Sequence, residues 1–180
     1  QLALLKSMMK ALIEKNVIVV VAAGNDGLDA SDNMLTIEEA ITVAASQEDD
    51  TRWISSNFGD RVDIHAPGQY VLAAAWQEEQ SSHLSLTGTS GAAPYVAGAA
   101  ALIASDDPLR GTADALDAED VKARVLASGY QNAIAPPESN GTDIRKENVN
   151  SDTTPLLVSI RDREFAAAIS TSRRPACYSR

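Results

Sequence analysis

The sequence predicts a layered α/β fold in which helices flank a mostly parallel sheet. Three observations predict this fold. A helix-like segment at residues 2–15 is followed closely by residues 17–23, an apolar run rich in β-branched side chains. Such a run is typical of a strand that is buried on both faces of a parallel sheet. Several further strand-like segments and two later helical segments complete the pattern.

Each element is predicted from its hydrophobic periodicity and from turn residues. Residues 2–15 place Leu4, Leu5, Met8 and Leu12 in one wide apolar stripe, as in an amphipathic helix. The Gly-Asn-Asp-Gly turn at residues 24–27 ends the first strand. The later strand candidates are residues 40–45, 61–66, 70–75 and 82–87.

Two helices are predicted after these strands, at residues 89–104 and 118–128. Pro94 is expected in the first turn of the earlier helix, where its missing N–H costs little. Asp117 is placed to cap the later helix. Beyond residue 129 the periodicity fades. We therefore expect a domain portion at 1–128 and a tail of uncertain structure at 129–180, in which residues 155–169 could supply a short strand and helix.

The composition argues against several kinds of partner. The 180-residue chain has a formal net charge of −10 and lacks a basic stripe for phosphates, which argues against nucleic acid and against an anionic membrane surface. No apolar run is long enough to cross a bilayer. The single cysteine, Cys177, cannot form an internal disulfide and is interpreted as a free thiol.

Ser90 stands where an extended segment passes into an Ala-rich helix, and two interpretations are open. A serine there can serve as an N-cap, because its side chain satisfies a free backbone N–H. It can also be a nucleophile, because the free N–H groups of a helix N-terminus favour a developing oxyanion. Gly88 and Gly91 leave both sides of its hydroxyl open to a substrate.

Asn25 follows the buried strand and is similarly ambiguous. An asparagine in a turn tolerates positive φ, which is a purely structural role. At the carboxyl end of a strand in an α/β fold, however, it lies at the edge where such folds build their sites. Its side-chain amide could then donate to a carbonyl oxygen during acyl transfer.

Three blocks of sequence, taken together, resemble the subtilisin-like serine proteases, the subtilases. They are VIVVVAAGNDG at 17–27, SSNFGDRVDIHAPG at 55–68 and LTGTSGAAPYVAGAAALI at 86–103. They occur in the family's order and at family-like separations. The resemblance covers residues 1–128 and implies the subtilisin-like form of the layered α/β fold, with its N-terminal part missing from this chain.

The resemblance implies a role for each matching position. Ser90 is the implied nucleophile, and Asn25 the implied oxyanion donor, together with the backbone N–H of Ser90. The substrate is a peptide or protein. The implied substrate-binding positions are Ala22, Ala23, Gly24, Gly88 and Thr89. Relatives often contain structural calcium, but no cluster of oxygen ligands is recognisable here and no metal ligand is assigned. Family analogy also implies a secreted or extracellular protein.

The catalytic Asp and His of a subtilase precede the Ser in the chain. Here they are expected upstream of Gln1, on an N-terminal segment that would be a required partner. His65 and His83 lack the Gly-rich helix-start context of the family's His, so neither is expected to be catalytic. The prediction is therefore a serine endopeptidase whose fragment, the present chain, is inactive alone.

Two other functions stay open at this point. Gly88 to Ala92 approach the G-x-S-x-G motif of another serine hydrolase fold, but that fold needs a His after the Ser, and no His follows Ser90. A non-catalytic pseudoprotease or binding remnant is the second alternative. The intact Ser90 and Asn25 argue against it.

Overall fold

The structure is a computed structural model that describes residues 2–74, 83–131, 134 and 156–157. Its helices in this part are α1 (Leu2–Ile13), α2 (Thr89–Ser105) and α3 (Ala118–Ala127), with a short 3₁₀ helix at Ala30–Asp32. The strands are β1 (Val20–Ala22), β2 (Ile41–Ser46), β3 (Ile64–Pro67), β4 (Val71–Ala74), β5 (His83–Leu86), β6 (Tyr130–Gln131) and β7 (Leu156–Leu157). The helices and strands predicted within residues 1–128 are thus confirmed, with bounds that differ by at most three residues.

Five of the strands form one sheet in the order β1-β2-β3-β7-β6. β1, β2, β3 and β7 run parallel, with Val21 opposite Thr42 and Ala44 opposite His65. β6 is antiparallel to β7. β4 and β5 form a separate antiparallel pair in which Val71 faces Leu86. The predicted α/β fold with a mostly parallel sheet is confirmed.

The main core lies between the central strands and the helices α2 and α3. Apolar side chains from β2 and β3 meet those of the two helices, and small residues on α2 let its backbone approach the sheet closely. The largest fully buried members are Ile41, Val43, Ile64, Val96, Val121 and Val125. This packing fixes the axis of α2, and therefore the position of its N-terminus, against the sheet.

Helix α1 covers β1 but leaves much of its own apolar surface exposed. Met9 packs with Val21 in a small buried cluster. The neighbouring stripe of Leu4, Leu5, Met8 and Leu12 is exposed. Val20 and Ala22 in β1 are half-buried. Val20 packs against the main core and Val21 lies in the α1 cluster, so β1 is packed on both faces as predicted. Its burial is incomplete because, within the described residues, β1 is an edge strand, paired on one side only.

Helix α3 begins as the sequence predicts. Asp117 accepts a hydrogen bond from the Asp120 amide, and Asp120 in turn accepts one from the Asp117 amide, which makes a capping box. Lys122 then joins α3 to the sheet layer. Its ammonium group donates to the carbonyls of Glu38 and Ala40, each at 2.7 Å, and lies 3.1 Å from the Asp63 carboxylate.

For α2, the interpretation of Ser90 as an N-cap and the predicted place of Pro94 in the first turn are both wrong. The helix begins at Thr89 with Gly88 as its N-cap and no local side-chain cap, so Ser90 is inside the helix and is not its N-cap. Pro94 therefore lies five residues into the helix, beyond the first turn. A proline there removes the amide that would bond the carbonyl of Ser90, four residues earlier.

Part of the predicted tail joins the sheet through β6 and β7. The rest of residues 155–169, together with Cys177, lies outside the described residues. In the portion of the chain that is described, no helix combines the length and the apolar character needed to cross a membrane.

Candidate active site

Asn25 contacts the first residue of α2, Thr89, which lies 64 residues later in the chain. It lies in the loop that follows β1, and its side-chain Oδ1 accepts hydrogen bonds from both the amide and the hydroxyl of Thr89, each at 2.9 Å. The first amide of a helix has no partner within the helix. Asn25 therefore caps α2 from a distant loop, in place of a local residue.

Gly88 allows this close approach. Its backbone φ is 143°, a value that L-residues with a side chain rarely adopt. A Cβ atom at this position would be 3.2 Å from Nδ2 and 3.3 Å from Oδ1 of Asn25. Gly88 is also tied to the end of β3, because its amide donates to the Gly68 carbonyl at 2.7 Å. The glycine thus creates the space in which the Asn25 carboxamide lies.

Thr89 is fully buried. Its hydroxyl donates to Asn25 and also accepts a hydrogen bond from the Gly24 amide at 3.2 Å. These contacts connect the loop after β1 with the first turn of α2. The side chain faces the protein interior, which is not the orientation expected of a substrate-binding side chain.

Ser90 is the second residue of α2, and it is exposed. The amides on either side of it are engaged: Thr89 donates to Asn25, and Gly91 donates to the Gly88 carbonyl at 2.9 Å. Asn25 is also exposed, and it contacts the residue directly before Ser90. The structure therefore brings the predicted nucleophile and the predicted oxyanion donor to the same surface at the N-terminus of α2.

The three predicted substrate-binding residues before Asn25 differ in their exposure. Ala22 and Gly24 are half-buried. Ala23 is fully buried in a cluster with Ala30 and Ala44, so its side chain forms part of the core and cannot itself contact a substrate. Its carbonyl accepts hydrogen bonds from the side chains of Asn33 and Asn57.

The two histidines lie on different strands. His65 is on β3 and is buried, and among the described residues neither ring nitrogen has a hydrogen-bond partner. Burial, with a smaller contribution from the charge of Arg52, lowers the pKa of His65 to about 4. His83 is exposed on β5. A neutral, enclosed imidazole in the sheet agrees with the expectation that His65 is a strand residue.

The sequence assigns no metal ligand. Within the described residues, no group of three or more His, Cys, Asp and Glu side chains could hold a metal ion. Structural calcium stays a prediction without a mapped site.

The chain is similar to known proteases in both sequence and fold. It is 37% identical over 139 residues to subtilisin-like protease 2 of Pseudogymnoascus destructans, covering 77% of this chain and 33% of that protein. It is 46% identical over 86 residues to alkaline protease 1 of Emericella nidulans, covering 47% and 21% of the two chains. A cold adapted subtilisin-like serine proteinase superposes with a TM-score of 0.63 at 26% identity, covering 84% of this chain and 48% of that one.

The chain thus spans a third or less of these two curated relatives and about half of the solved structure. A family model described as the subtilase family matches residues 3–151, which extends beyond the three sequence blocks into the predicted tail. On the strength of this match and of the fold, the chain belongs to the subtilase family.

Proposed function

We propose that the chain is the nucleophile-bearing part of a serine endopeptidase, with Ser90 as the nucleophile. The observation that carries this proposal is the position of Asn25, whose carboxamide lies against Gly88 and Thr89, directly before Ser90. A serine that acted only as a helix cap would be the N-cap. Gly88 holds that position, and the distant Asn25 supplies the capping oxygen.

The proposed reaction is acyl transfer through an ester on Ser90. The hydroxyl oxygen attacks the scissile carbonyl while its proton passes to a base, and the carbonyl oxygen becomes an oxyanion. Collapse of this intermediate breaks the peptide C–N bond and releases the amine, which takes up that proton and leaves the ester on Ser90. Because Thr89 engages Oδ1 of Asn25, the other end of the carboxamide, Nδ2, is left to donate to the oxyanion. The Ser90 amide is the second donor. Both donors would also stabilise the second tetrahedral intermediate, which forms when water hydrolyses the ester.

A serine hydroxyl needs a base to accept its proton. We propose that the His and its orienting Asp lie on a segment outside this chain, and that the chain alone is inactive. Two features of the described residues support a missing segment. β1 is unpaired on its outer side, and the apolar stripe of α1 beside it is exposed. An uncovered strand edge and an uncovered apolar helix face next to each other suit a further polypeptide layer.

The substrate in this proposal is a peptide or protein bound near the loop after β1. The half-buried Ala22 and Gly24 would contribute to its wall. Thr89, Gly88 and Ala23 would act behind this surface, because all three are buried. Secretion is proposed by analogy with the family.

A fluorophosphonate probe tests the proposal, since such probes react with activated serine nucleophiles. The full-length protein should be labelled at Ser90, and Ser90→Ala should abolish the label. The 180-residue chain alone should stay unlabelled. Asn25→Ala is the matched variant, because it removes the oxyanion donor and leaves the nucleophile in place.

Three outcomes would contradict parts of the proposal. A folded full-length protein that resists the probe would favour a non-catalytic pseudoprotease. Labelling at another serine would move the site away from α2. Labelling of the isolated chain would show that a base lies within it and that the missing segment is not needed for serine activation.

A further inference from the structure

The loop after β1 needs hydrogen-bond partners that the sheet does not provide. It leaves the sheet at Ala23 and contains two glycines with positive φ, Gly24 at 106° and Gly27 at 64°. Asn25 lies between them and has an exposed side chain. A loop of this kind is rigid when its backbone groups are satisfied by fixed partners elsewhere in the fold. Those partners determine how precisely Asn25 is placed.

Asn57 makes four of the hydrogen bonds that hold this loop, more than any other residue. Its side-chain Oδ1 accepts hydrogen bonds from the amides of Asp26 and Leu28, each at 3.0 Å. Its Nδ2 donates to the Ala23 carbonyl at 2.9 Å, and its own amide donates to the Gly24 carbonyl at 2.9 Å. The four bonds thus bind the loop on both sides of Asn25.

The surroundings of Asn57 make these bonds strong constraints. The residue is 3% exposed, so water cannot readily replace the side chain as a partner. Gly24 packs directly against it, because a Cβ atom at position 24 would overlap Nδ2 of Asn57. Because the side-chain amide of Asn57 both donates to and accepts from the loop, it favours a single conformation of residues 23–28. In that conformation Asn25 reaches Thr89.

We propose that Asn57 is a positioning residue of the active site, which fixes the Asn25 carboxamide at the N-terminus of α2 through the loop at residues 23–28. The catalytic part of this inference rests on the proposed function. Asn57 acts through Asn25. Removal of the Asn57 side chain should therefore lower kcat and leave KM nearly unchanged. The reason is that the Asn25 amide, a donor that acts mainly in the transition state, would be misplaced.

Hydrogen exchange on the 180-residue chain tests the positioning directly. Asn57→Ala should speed exchange of the Asp26, Leu28 and Thr89 amides by about 10-fold or more, because the loop opens locally. Asn33→Ala is the matched control. Asn33 also donates to the Ala23 carbonyl, at 2.7 Å, but its side chain bonds neither Asp26 nor Leu28. Equal exchange at these amides in the two variants would overturn the proposal.

Kinetics on the full-length protease test the catalytic consequence. Asn57→Ala should lower kcat by about 10–100-fold. In an Asn25→Ala background the same change should have little further effect, because the group being positioned is already gone. A full additional loss in that background would show that Asn57 does not act through Asn25.

Two further variants keep the outcomes distinct. If Asn57→Ala does not fold, Asn57→Ser retains a short acceptor and should give intermediate exchange and intermediate kcat. Exchange as fast as in unfolded protein throughout the domain would show that position 57 is merely structural. If Asn25→Ala leaves kcat unchanged, the proposed oxyanion donor is wrong, and the exchange rates still decide whether Asn57 fixes the loop.

Discussion

Acidification should destabilise the fold through His65. This imidazole is 6% exposed in β3, and its pKa is lowered to about 4, first by burial and then by the charge of Arg52. In the unfolded chain the same group titrates near its ordinary value of 6.5. Between these two values the unfolded chain binds a proton that the native protein does not bind. The free energy of unfolding therefore falls as the pH is lowered through this range.

The size of the effect follows from the two pKa values. One pKa unit corresponds to about 1.4 kcal/mol, so the full difference is about 3 kcal/mol, reached below pH 4. At about pH 5 the loss should already be about 2 kcal/mol. A domain is typically stable by about 5–15 kcal/mol, so this single group is a large fraction of the total.

Urea unfolding of the wild type and of His65→Leu at neutral pH and at about pH 5 measures the effect. Leucine has no titrating group, so the stability of the variant relative to wild type should rise by about 2 kcal/mol on acidification. Carboxylates that titrate in the same range are common to both proteins and cancel in the difference. His83→Gln is the control, because it changes an exposed imidazole and leaves His65 in place.

A stability difference between wild type and His65→Leu that is the same at both pH values would refute this reasoning. It would mean that His65 finds a proton acceptor or water in the native state. If the pH dependence of stability disappears in His83→Gln, the effect belongs to His83 and the assignment to His65 is wrong.

Three further predictions concern the elements that surround the site. Asp117→Ala should lower the free energy of unfolding by about 1 kcal/mol, because it removes the carboxylate that caps the Asp120 amide at the start of α3, and urea unfolding measures this. Lys122→Met should lower the free energy of unfolding by about 2–4 kcal/mol in the same assay. It leaves the Asp63 carboxylate and the carbonyls of Glu38 and Ala40 without their charged donor. Asn25→Ala should lower kcat of the full-length protein in the proposed peptidase reaction by about 10²–10³ while Ser90 can still be labelled. The magnitude is taken over from subtilisin, in which the loss of an oxyanion-hole asparagine has this effect. An unchanged kcat would contradict the proposed role of Asn25.

Elements with a local sequence signal are predicted well. The cap at Asp117 depends on residues three positions apart, and it is confirmed. The helix at 89–104 and the parallel strands are also recognisable, because apolar runs and small residues report directly on burial. Strand ends differ by one to three residues, since the neighbouring strand determines where pairing stops.

Features that depend on distant contacts are not predictable in the same way. Serine is a common N-cap, which favours a cap at Ser90, whereas the capping oxygen of α2 comes from Asn25, 64 residues from Thr89. The same long-range contact explains why Thr89 is buried. Asn57 lies within a family-like block, but the sequence indicates no role for it, because its partners lie 29 to 34 residues earlier in the chain. An asparagine beside a short turn is the only local signal.

The cap that Asn25 provides has a consequence for folding. The contact joins the loop after β1 to the start of α2, so it closes a long loop, and we expect it to form late compared with local turns. A nascent or partly unfolded chain that already contains Gly88, Thr89 and Ser90 consequently lacks the contact between Asn25 and Thr89, and with it the proposed pair of oxyanion donors. On that proposal, the acyl-transfer site is assembled only when the sheet and α2 have packed together.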